Sequence, residues 1–72
     1  MNLYVKKDID LGVLCLGWED LGYCYRLMDG MGEIIEVYKH DGAIVNYGYN
    51  GLITDWYMHG MLSNHKEEKI KG

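Results

Sequence analysis

Apolar and polar residues alternate along most of the first 49 positions, and the alternation is punctuated by turn chemistry. From Val13 to Trp18, Leu14, Leu16 and Trp18 fall on one side. From Leu21 to Met28, Leu21, Tyr23, Tyr25 and Leu27 do the same. A period of two marks a half-buried strand. A tight turn centred on Glu19-Asp20 would set Leu16 against Tyr23, Leu14 against Tyr25 and Cys15 against Cys24. Large apolar residues then share one face, as register selection requires.

Two further turns carry clearer signals. Gly30-Met31-Gly32 and His40-Asp41-Gly42 both end in glycine, the residue that closes three-residue hairpin loops in a left-handed bulge. Such loops pair Leu27 with Ile35 and Tyr25 with Val37, then Val37 with Val45 and Ile35 with Tyr47. The pattern predicts a meander with strands near 13–18, 22–28, 33–39 and 43–49. Its inner face holds Leu14, Leu16, Trp18, Tyr23, Tyr25, Leu27, Ile35, Val37, Val45 and Tyr47. The other face mixes Met28, Ile34, Tyr38 and Ile44 with Arg26, Glu36 and Asn46, so it too needs a cover.

The flanks are less periodic. Residues 2–7 read as a short first strand and 7–10 as a turn or single helical turn. Residues 50–62 read two ways. Asn50-Gly51 is a hairpin signal that adds a strand over 52–58, and Trp, Tyr, Ile and Thr favour it. Leu52, Ile53, Trp56, Tyr57 and Met61 instead recur at helical spacing. Gly60 counts against that helix. The expected fold is therefore mainly β: one small antiparallel meander of four to six strands, which in one variant closes into an SH3-like barrel. The alternative is α+β, with a C-terminal helix over 52–62 packed on the sheet. Residues 1–63 form the single expected domain, and the polar stretch 64–72 is a tail expected to fray.

Composition narrows the function classes. The chain has 72 residues, 49% hydrophobic, enough for one thin core. Its aromatics are seven Tyr and two Trp with no Phe, a set suited to half-buried faces and interfaces. The net charge is −4 and Arg26 is the lone arginine, which argues against a phosphate-tracking surface. Tyr23, Tyr25, Tyr47 and Tyr49 would suit base stacking, but the positive charge that accompanies such platforms is missing. The longest apolar run, Leu11 to Trp18, is too short for a membrane span. With no signal-peptide pattern and two cysteines, a cytoplasmic setting with free thiols is expected, host cytoplasm if the chain is viral.

Catalytic chemistry is poorly represented. Cys15 and Cys24 lack the spacing of a zinc pair, and no second pair exists. His40, His59 and His65 fit turn and chain-end positions. Ser63 is the one serine, and the acidic pairs Glu19-Asp20 and Glu33/Glu36 are explained by turn and strand solubility. Gly30-x-Gly32 precedes a strand, the wrong context for a phosphate loop. No cofactor and no metal are expected, and the chain does not read as an enzyme. It reads as a small protein-interaction module, homodimeric, of the kind phages and mobile elements carry as inhibitors of a host protein. Met28, Ile34, Tyr38, Ile44 and Trp56 are the candidate partner-binding residues. Alternatives are a small-molecule or nucleotide binder, with Arg26 and Tyr49 lining a tyrosine-rich pocket between subunits, and a single-stranded nucleic-acid binder.

Overall fold

The computed structural model describes residues 3–28, 32, 34–47 and 51–66. Among these, six antiparallel strands form one open sheet, with two short helices on a single face. In chain order they are β1 (Leu3–Val5), α1 (Leu11–Leu14), β2 (Glu19–Asp20), β3 (Cys24–Met28), β4 (Ile34–Tyr38), β5 (Ala43–Tyr47), α2 (Gly51–Met58) and β6 (Leu62–Ser63). The sheet order is β2-β3-β4-β5-β1-β6. The mainly-β reading holds. The barrel variant does not: the sheet keeps two edges, β2 and β6, and each is only two residues long.

The central hairpin has the expected register, with Leu27 opposite Ile35 and Tyr25 opposite Val37. Its Gly32 is left-handed, at φ 84°. Gly30, Met31 and Glu33 lie outside the described residues. The next hairpin departs from expectation by one residue. Val37 opposes Ile44 and Glu36 opposes Val45. The loop is four residues long, Lys39 to Gly42, and the Gly42 N–H donates to the Tyr38 carbonyl at 2.8 Å. Gly42 is still the left-handed residue, at φ 75°, but as the fourth loop position instead of the third. Because strand side chains alternate, this shift exchanges the faces of Ile44 and Val45. Ile44 now packs on the core, and Val45 joins Glu36 on the other side.

The first predicted hairpin is not formed. Residues 11–14 are helical, so Leu16 does not face Tyr23, Leu14 does not face Tyr25, and Cys15 does not face Cys24. The Asp10 carboxylate caps the helix, accepting from the Gly12 and Val13 N–H groups at 2.9 and 3.4 Å. Leu11, Leu14, Cys15 and Trp18 are spaced as one helical face, and all four belong to the core. Leu16 and Val13, central to the strand reading, are 81% and 71% exposed. The turn itself lies at Gly22-Tyr23, and it pairs Glu19 with Arg26 and Asp20 with Tyr25.

Of the two readings of residues 50–62, the helix forms and the strand over 52–58 does not: 51–58 are helical, and Ile53 and Trp56 pack on the sheet. Gly60, counted as a penalty inside a helix ending at 62, is the residue that stops one ending at 58. Its φ is 74°. Its N–H bonds to the Tyr57 carbonyl, and the Met61 N–H reaches back to the Trp56 carbonyl, both at 3.1 Å. That is the paired-bond Schellman stop. Asn50, the hairpin signal, lies outside the described residues.

Core packing follows from these placements. Val5, Ile35, Val37 and Leu62 on the sheet meet Leu11 and Cys15 from α1 and its cap, and Ile53 and Trp56 from α2. Trp18, just beyond α1, stacks on Trp56 with ring centroids 5.8 Å apart. Both helices therefore cover the same sheet face, and the stack ties one to the other. Replacing Gly42 by alanine is expected to cost about 1 kcal/mol or more, since a left-handed backbone is unfavourable once a Cβ is present. An unchanged urea midpoint for Gly42→Ala would contradict the four-residue loop.

Candidate functional site

Strand alternation places Arg26, Met28, Ile34, Glu36, Tyr38, Ala43, Val45 and Tyr4 on the face that neither helix covers. Glu36 sits at its centre. Its cross-strand neighbours are Arg26 on β3 and Val45 on β5, and Ile34 and Tyr38 flank it along β4. Glu36 is only 5% exposed although, among the described residues, neither helix lies on this face. Its carboxylate is held by charge-assisted bonds: Arg26 donates from Nε and Nη2 to Oε2 at 3.1 and 2.9 Å. The Tyr38 hydroxyl lies 3.5 Å from Oε1. The bond to Glu36 raises the Arg26 pKa above its ordinary value. Around this pair the surface is apolar or aromatic. Met28 is 60% exposed, and Tyr23, at 57%, leans on Tyr38 with ring centroids 5.6 Å apart.

The candidate residues thus separate. Met28, Ile34, Tyr38 and Arg26 share the uncovered face. Ile44 and Trp56 do not. Ile44 turns inward because of the one-residue register change, and Trp56 is buried under α2 against Trp18. Tyr49 lies outside the described residues. Glu36 and Val45 belong to the face but were not among the candidates. Glu36 was read as a solubility residue, and Val45 as core. Glu36 already falls on this face by the alternation of β4, and for Val45 the signal was the loop length after Tyr38, which the Asp41-Gly42 ending leaves open between three and four residues.

The cysteines are separated by the sheet. Cys15 is buried in the helix-side core, where burial pushes its thiol up to about 11. Cys24 is buried on the opposite side, between Tyr23 and Glu36, and burial is the main cause of its raised pKa. Both are free thiols. Neither environment favours a thiolate nucleophile. Among the described residues, no three His, Cys, Asp or Glu side chains group as a metal site. An open apolar pocket of about 290 Å³, lined by Leu3, Ile53, Thr54 and Tyr57, lies between β1 and α2. It is on the helix side, across the sheet from Arg26. No described helix is long and apolar enough to cross a membrane.

The β2 edge is fastened separately. Lys39 Nζ reaches Asp20 Oδ1 at 2.7 Å and lies 4.6 Å from the Tyr25 ring centroid. The Gly22 N–H also donates to Asp20, at 2.8 Å.

No family model, curated protein or solved structure matches this chain.

The bond from Lys39, followed by that from the Gly22 N–H, lowers the Asp20 pKa below its ordinary 3.8. A carboxylate with a depressed folded pKa adds stability above its unfolded pKa, and that contribution is lost as pH falls through the folded value. Replacing Lys39 by methionine should therefore raise the Asp20 midpoint towards 3.8 in a carboxyl-carbon NMR titration. An unmoved midpoint would contradict the contact.

Proposed function

We propose that this chain is a small, non-catalytic protein-interaction module and that it meets its partner with the uncovered sheet face. The observation that carries this reading is the arrangement around Glu36. An ion pair already formed within the chain occupies the centre, ringed by Tyr38, Ile34, Val45 and the exposed Met28. Tyr and Arg with apolar neighbours are the groups that dominate protein interfaces. The Arg26–Glu36 pair is half desolvated before any partner arrives, so less solvation is left to remove on binding. A module of this size acts by occupying a surface, and inhibition of the protein it covers is the simplest consequence.

A second copy is a partner this face fits. The face centre holds one cation and one anion, so a two-fold axis there brings each Arg26 near the other copy's Glu36. Sedimentation equilibrium at micromolar concentration should then give about twice the 8.3 kDa chain mass. Tyr38→Glu would put two further carboxylates into that interface, a penalty of several kcal/mol, and should return the chain to monomer. A wild-type mass of 8.3 kDa would contradict self-pairing. A Tyr38→Glu chain that stays dimeric and stable would place the contact elsewhere.

A further inference from the structure

We draw no further inference here: the strongest candidate, the open apolar pocket between β1 and α2 lined by Leu3, Ile53, Thr54 and Tyr57, carries nothing because nothing in the structure shows what fills or covers it.

Discussion

The pairing of β4 with β5 is the constraint on which the rest of this structure depends. β4 contributes Ile35 and Val37 to the core, and its intervening residue, Glu36, must point the other way. The four-residue loop closed by Gly42 then fixes which residues of β5 join each side. Ile44 goes with Val37, and Val45 goes with Glu36. β1 continues the division, because Val5 is fully buried in the core while Tyr4 lies on the far face. The uncovered face and the core are thus set by one register.

A single antiparallel sheet can leave one face to solvent, provided the other is covered. Here the cover is small. α1 has four residues and α2 eight, too few for either to hold its shape in water alone. Capping supplies part of the difference, through Asp10 at the start of α1 and Gly60 after α2. Packing supplies the remainder, through Leu11 and Cys15 below and the Trp18–Trp56 stack between the helices. Once these cover one face, nothing among the described elements reaches the other. Glu36 is accommodated there because Arg26 and Tyr38 meet its carboxylate locally.

How much of this was legible depended on whether one signal or two competed at a position. The β3–β4 hairpin was fully legible, since alternation and turn length agreed. At 11–18 two periods fit the same residues: Leu14, Leu16 and Trp18 alternate, while Leu11, Leu14, Cys15 and Trp18 follow a helix. The Asp10 cap decided it, and a capping aspartate is also an ordinary turn residue. At Gly60 the residue was recognised and its role was not, because a helix ending at 62 makes it interior and one ending at 58 makes it the stop. The site was half legible for a similar reason. Met28, Ile34, Tyr38 and Arg26 follow from β3 and β4 alone, whereas Ile44 and Val45 depend on the length of one loop. Trp56 was misplaced because a large aromatic at helical spacing serves a core as readily as an interface.

The division of the two faces can be tested in one comparison, by urea denaturation of Ile44→Lys and Val45→Lys. With the register described here, lysine at 45 lands beside Glu36 on the open face and should shift stability by no more than about 1 kcal/mol. Lysine at 44 forces a charge against Val37 and the helix-covered core, and should cost several kcal/mol or prevent folding. The opposite ranking, with Ile44→Lys tolerated and Val45→Lys unfolded, would contradict the register and with it the assignment of the contact face.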